Sequence, residues 1–217
     1  MLILGIDEAG RGPCVASLFI AGVLIEEKDE AKLKELGVKD SKLLTHKKRE
    51  FLAEKIKKIA KKIKIIEVKP EEIDRAVNGD HGLNLNWLEA HKTAEIINEL
   101  KPDKAIIDCP SPNIKRYKEY LLKLLDNKKI ELVVDHKAER FLPVAAASIL
   151  AKCEREDEVK KIEKMIGQSI GTGYPSNLIC QKFLKENWDK YPDIFRKSWV
   201  TWKNHKIAKI QKKLNDF

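Results

Sequence analysis

An α/β fold on a mixed sheet is predicted by three features of the sequence. Short apolar runs rich in β-branched residues alternate with longer amphipathic stretches along most of the 217 residues. The first two runs are close enough to form an antiparallel pair, whereas the later strands require crossovers and so return parallel. At this length, with 43% apolar residues, the chain can bury the real core that one domain, or one domain with a small appendage, requires.

The elements follow in order. Leu2 to Asp7 is a short apolar run ending in two carboxylates, which reads as a buried strand. Gly10, Gly12 and Pro13 then force a turn. Val15 to Ile25 is the hairpin partner. His46 to Ile63 carries Phe51, Leu52, Ile56, Ile59 and Ile63 among charges, the spacing of an amphipathic helix. Lys64 to Val68 is strand-like, and Pro70 suits the first turn of a short helix. A helix over Leu83 to Leu100 stops before Pro102, and Ala105 to Asp108 is a strand closed by Cys109-Pro110-Ser111-Pro112. Ile114 to Leu125 is helical, Ile130 to Asp135 is a strand, and Pro143 opens a long helix to about Met165. A glycine-rich loop, Gly167 to Pro175, precedes two or three basic helices. The reading divides the chain into a main α/β domain over 1–175 and a basic helical region over 176–217.

Composition excludes several classes. No run of 18 apolar residues exists to span a bilayer, and no basic leader precedes an apolar stretch at the start. Cys14, Cys109, Cys153 and Cys180 form no C-x-x-C pair, so a zinc ribbon is not indicated; four lone thiols suit a reducing cytoplasm. Nothing suggests a self-complementary apolar face, and a monomer is expected. The formal charge is +9, of which residues 176–217 contribute +6 through nine lysines and one arginine against four acids. Such a tail reads as a surface for a polyanion. Trp188, Tyr191, Trp199 and Trp202 are interleaved with it, either to stack on sugars or bases or to dock the tail on the main domain.

Three predicted strands end in acids: Asp7 with Glu8 beside it, Asp108 and Asp135, with Glu139 soon after. One such carboxylate is ordinary as a helix cap or lysine partner. Three strand ends carrying acids point to a shared hard cation, because unpartnered carboxylates there are expensive and no Cys/His cluster offers softer ligands. Two ions about 4 Å apart suit phosphodiester hydrolysis. Successive strand residues face opposite sides, so Glu8 joins Asp7 only if the strand ends or bulges there, or through its main-chain carbonyl.

Six blocks occur in order: Gly5-Ile6-Asp7-Glu8-Ala9-Gly10-Arg11-Gly12-Pro13, Asp40-Ser41-Lys42, the strand to Asp108, His136-Lys137-Ala138-Glu139, Ala146-Ala147-Ser148-Ile149-Leu150-Ala151-Lys152, and Gly173-Tyr174-Pro175-Ser176. Together they resemble type 2 ribonuclease H over residues 3 to about 178. The resemblance implies a ribonuclease H-like fold, a five-stranded mixed sheet flanked by helices, with a helical C-terminal region. It implies an endoribonuclease that hydrolyses the RNA strand of RNA–DNA hybrids. The same resemblance implies incision 5′ of single ribonucleotides in duplex DNA, leaving 3′-hydroxyl and 5′-phosphate ends, with two Mg²⁺ or Mn²⁺ ions. Asp7, Glu8 and Asp108 match the family's catalytic, metal-binding acids. Glu139 stands where the family normally has Asp, with Asp135 as the alternative fourth acid. Gly10, Arg11 and Gly12 match the segment whose main chain contacts the ribose 2′-hydroxyl, the group that marks RNA. Tyr174 matches the tyrosine that stacks on the next sugar, and Lys42 a phosphate-contacting lysine. Ser148, Lys152 and Arg155 lie near the start of the long helix, and Lys152 and Arg155, three apart on one face, are expected to touch phosphate or hold the acids in place. The end of the chain, with Gln211, Leu214 and Phe217, resembles a sliding-clamp-binding peptide. The competing reading is a hybrid-binding module with a decayed site, marked by Glu139.

Overall fold

A computed structural model describes the backbone of residues 1–38 and 44–215, with side chains described as far as 207. The sheet has five strands in the order β3-β2-β1-β4-β5. They are β1 (Leu2–Ala9), β2 (Leu18–Glu26), β3 (Lys62–Val68), β4 (Lys104–Asp108) and β5 (Glu131–Asp135). β1 pairs antiparallel with β2 and parallel with β4, and β4 is parallel to β5. The helices are α1 (Glu30–Glu35), α2 (His46–Ile59), α3 (Pro70–Val77), α4 (Leu85–Leu100), α5 (Ile114–Leu124), α6 (Leu142–Ile166), α7 (Leu178–Asn187) and α8 (Val200–Asn215). The mixed five-stranded sheet flanked by helices is the expected fold. Eight of the nine residues of β2 are buried, as a strand covered on both faces requires.

Several boundaries differ from the sequence expectation for identifiable reasons. β2 begins at Leu18 rather than Val15, because Ala16 adopts a left-handed conformation (φ 73°) and interrupts the extended run. β1 continues to Ala9 instead of stopping at Asp7, carried by pairs as far as Ala9 opposite Phe19. α2 ends at Ile59 because Lys62 onward is taken into β3. The short helix α1 lacked a sequence signal: six residues are too few for a helical period to show.

Contacts divide the chain into two compact units. The first comprises residues 1–9, 19–67 and 85–154. Its core includes Val23, Ile25, Leu52, Ile56, Val144 and Leu150. The run Val144-Ala145-Ala146-Ala147 of α6 is wholly buried, and its small residues permit close packing. Gly5 of β1 is part of the same fit, since a Cβ there would lie 2.1 Å from the Pro143 carbonyl carbon. The second unit comprises residues 10–18, 68–84 and 155–217. Cys14, Val15, Ile162, Phe183, Leu184 and Phe195 form its core, against which Trp188, Tyr191, Trp199 and Trp202 pack. Those aromatics therefore serve as an apolar stripe in the C-terminal unit.

Candidate active site

Strand register gathers the acids of the first unit at one end of the sheet. Ile6 lies opposite Ile107 in the parallel β1–β4 pair, so Asp7 and Asp108 leave adjacent strands at the same end. Asp108 in turn lies opposite Asp135. Asp7 is buried, and its carboxylate accepts the Glu8 N–H at 2.8 Å and a hydrogen bond from the Ser148 side chain of α6. Its pKa rises from 3.8 to about 7, first because burial penalises the anion and then because Asp108 and Glu139 repel it, against the opposing pull of Ser148 and the Glu8 amide.

Asp108 Oδ1 accepts the Ala138 N–H at 2.8 Å. That bond ties the end of β4 to the short 3₁₀ turn Ala138–Arg140, which carries Glu139. Glu139 Oε1 lies 3.8 Å from the Lys152 ammonium of α6. Asp135 is engaged differently. Its carboxylate pairs with Arg140, which lowers its pKa, and accepts the His136 N–H at 2.8 Å. Glu139 is among the charges that raise the pKa of Asp7, while Asp135 is paired with Arg140.

Glu8 follows the strand rule. β1 stays regular, with Asp7 opposite Ala21 and Glu8 opposite Ile20, so the two side chains emerge on opposite faces. Glu8 lines a small cavity with Glu89 and Thr93 of α4, Tyr117 of α5 and Asp108. Glu89 is a buried carboxylate that sequence reasoning passed over; it sits within a helix whose pattern reports only its apolar face. The set of Asp7, Asp108, Glu139 and Glu8 is all hard oxygen, and its most buried member bears an anion destabilised by like charge. Both properties fit a divalent cation of the Mg²⁺ or Mn²⁺ type.

The second unit holds Gly10, Arg11, Gly12 and Tyr174. Gly10 has φ 92°, a conformation that glycine adopts without strain. Gly12 lies under the Tyr174 ring, whose Cε1 would be 2.9 Å from a Cβ at that position. Tyr174 itself is 46% exposed, so one part of the ring remains available. Arg155 is buried and donates to Val15 O at 3.3 Å and Thr172 O at 3.5 Å, tying two loops together. Lys42 lies outside the described residues, as does Phe217; of Gln211 and Leu214 only the α8 backbone is described. Sequence reasoning also missed Arg196, a fully buried side chain on the carbonyls of Gly10, Arg11 and Ala16. Its one signal was being the single arginine among the lysines after residue 175.

Residues 4–202 match the family model described as Ribonuclease HII. A protein named Ribonuclease HII from Methanothermobacter thermautotrophicus is 42% identical over 205 residues, covering 93% of this chain and 97% of its own. The crystal structure of the ribonuclease H2 from Pyrococcus horikoshii OT3 superposes with a TM-score of 0.86 at 34% identity, over 96% of this chain and 98% of that one. The RNase HII of Archaeoglobus fulgidus, solved in a PCNA:RNase HII complex, gives a TM-score of 0.82 at 37% identity, covering 92% of this chain and 95% of that one.

Proposed function

The chain belongs to the ribonuclease HII family, metal-dependent endoribonucleases acting on RNA–DNA hybrids, and from that premise we propose that it also incises duplex DNA 5′ of single embedded ribonucleotides. The products on this reading are 3′-hydroxyl and 5′-phosphate ends. The observation that carries the catalytic assignment is the buried, charge-strained Asp7 with Asp108 and Glu139 acting on it.

Asp7, Asp108 and Glu139 would hold two Mg²⁺ or Mn²⁺ ions through their carboxylates, and Glu8 through its main-chain carbonyl, since its side chain faces away from Asp7. When bound, such ions lower the pKa of the attacking water and offset charge on the departing 3′ oxygen. The remaining work belongs to the protein. Ser148 and the Glu8 amide orient the Asp7 carboxylate. Ala138 N–H fixes Asp108, and Lys152 restrains Glu139. Pre-set ligands of this kind need little rearrangement when the substrate arrives. No covalent intermediate is required.

The Gly10-Arg11-Gly12 main chain reads the 2′-hydroxyl, and Tyr174 stacks on the following sugar. Lys42 contacts phosphate. The C-terminal Gln211, Leu214 and Phe217 bind a sliding clamp, a reading supported by the relative solved with PCNA. The protein acts as a cytoplasmic monomer. Among the described residues no helix is long and apolar enough to cross a membrane.

The test compares an RNA–DNA hybrid with a DNA duplex holding one ribonucleotide, each with Mg²⁺, Mn²⁺ or EDTA. Cutting of both with either ion, and of neither with EDTA, is expected. An intact single-ribonucleotide duplex beside a cleaved hybrid would refute incision at isolated ribonucleotides.

A further inference from the structure

In the second unit the segment 10–16 is held through its carbonyls. The Arg196 guanidinium donates from Nη2 to Gly10 O at 2.5 Å, from Nη1 to Arg11 O at 2.9 Å and from Nε to Ala16 O at 2.9 Å. The Trp199 indole N–H donates to Gly12 O at 3.1 Å, and its ring lies 5.1 Å from the guanidinium. The Arg196 backbone N–H donates to Cys14 O at 2.9 Å. The gripping segment is itself restrained: the Asp74 carboxylate of α3 accepts the N–H groups of Lys197 and Ser198, each at 2.8 Å.

This arrangement determines how the peptide planes face. A trans peptide carries its C=O and N–H on opposite edges. Drawing Gly10 O and Arg11 O toward the guanidinium therefore turns the N–H edges of Arg11 and Gly12 to the other side. Gly12 O precedes Pro13, which has no N–H, so anchoring that carbonyl turns away no donor. Arginine suits the task because its rigid fork can serve three carbonyls at once, whereas a lysine ammonium is a point donor on a flexible stem.

The cost argues for a role beyond closing a loop. Arg196 has no exposed surface. Burial, and then the like charge of Arg155, pull its pKa down to about 9. Its direct hydrogen-bond acceptors here are neutral carbonyls, which repay the desolvation of a cation less fully than a carboxylate would. An apolar side chain in its place would leave the carbonyls of Gly10, Arg11 and Ala16 without these donors, so what the buried cation adds is a fixed direction for all three.

We propose that Arg196, backed by Trp199, is a positioning residue for sugar recognition: it sets which edge of the Gly10-Arg11-Gly12 main chain is presented, and through it the preference for a ribonucleotide over a deoxynucleotide. This rests on the reading of that loop as the 2′-hydroxyl contact.

The full chain is assayed on two duplexes of one sequence, all-DNA or with a single ribonucleotide. Arg196→Lys is expected to lower kcat on the ribonucleotide duplex by about tenfold or more, as small misplacements of a substrate do. Affinity for the all-DNA duplex, measured by anisotropy without divalent ions, stays within twofold. Trp199→Phe, which keeps an aromatic ring and loses the indole N–H donor, shows the same split at about threefold. Should Arg196→Lys fail to fold, Trp199→Phe decides on the same two readouts. An unchanged kcat, or a parallel loss of all-DNA affinity that signals general damage, overturns the proposal. Gly12→Ala separates the two layers, because its Cβ would press on Tyr174. If Gly12→Ala loses the ribonucleotide preference while the Arg196 and Trp199 variants keep it, only the positioning role falls. If all three keep it, the loop is not the sugar reader.

Discussion

Asp7 is buried among like charges, and the strain on its carboxylate has a measurable sign. In the unfolded chain its carboxyl ionises near 3.8, while in the folded protein it resists until about 7. The folded state therefore loses stability as pH rises between those values, by roughly a few kcal/mol once fully ionised. Asp7→Asn removes the penalty. In EDTA the variant is expected to melt higher than the parent, by a margin that widens from pH 5 to pH 8; a constant margin would contradict the assignment. Added Mg²⁺ or Mn²⁺ should raise the melting temperature of the parent and much less that of Asp7→Asn. The variant should bind substrate and not cut it. At the fourth acid, Glu139→Gln is expected to lower cleavage by about 10²-fold or more, and Asp135→Asn by less than about threefold, because Arg140 already occupies Asp135. Rates on the hybrid compare the two, and the reverse order would transfer the role. Asp7, Asp108 and Asp135 were legible in the sequence because each closes an apolar run, where a carboxylate stands out, whereas Glu139 was legible only through the resemblance of its block. Arg196 and Glu89 were not, since their meaning lies in which distant groups surround them.

Elements explain why the acids hold their places. α6 supplies Ser148 and Lys152 only because its first turn packs against β1, and that approach depends on the missing side chain of Gly5. Gly5→Ala places a methyl group 2.1 Å from the Pro143 carbonyl carbon. A loss of roughly 2 kcal/mol or more is expected, read as a lower urea midpoint at unchanged slope. A midpoint that does not move would show that α6 can shift at little cost. The strands β1, β4 and β5 were read from sequence to within two residues, because buried β-branched runs between turn signals have few alternative interpretations. The start of β2 was misplaced since nothing in Val15-Ala16-Ser17 announces a left-handed residue or a carboxylate that captures a backbone amide; Glu158 accepts from Ser17 N at 2.9 Å. At the other end, α8 carries its backbone helix to Asn215. Deleting 211–217 is expected to abolish retention on an immobilised sliding clamp and leave hybrid cleavage intact. Equal retention would exclude the clamp peptide.

At the scale of the whole molecule, the chain passes between its two compact units several times, so each is built from segments distant in sequence. Hydropathy along a chain does not report such interleaving, which is why the acids and the C-terminal basic bias were readable while their structural grouping was not. The charge asymmetry nevertheless makes a whole-molecule prediction. Lys182, Lys185 and Lys190 are exposed and line one groove along and just beyond α7, with Leu178, Gln181 and Glu186. Residues four apart on a helix share a face, so Leu178, Lys182 and Glu186 form one row with Gln181 and Lys185 beside it. If this face meets duplex phosphates, each lysine displaces condensed counterions on binding. Affinity should then fall steeply with salt, and on a log–log plot the slope should shrink by about 0.9 for each phosphate contact removed. Changing all three lysines to alanine is expected to flatten the slope by up to about 3 while leaving the ribonucleotide preference intact, because phosphate contacts hold the duplex without reading its sugars. A slope identical to that of the parent would place the duplex elsewhere and reduce these lysines to a solvated helix face.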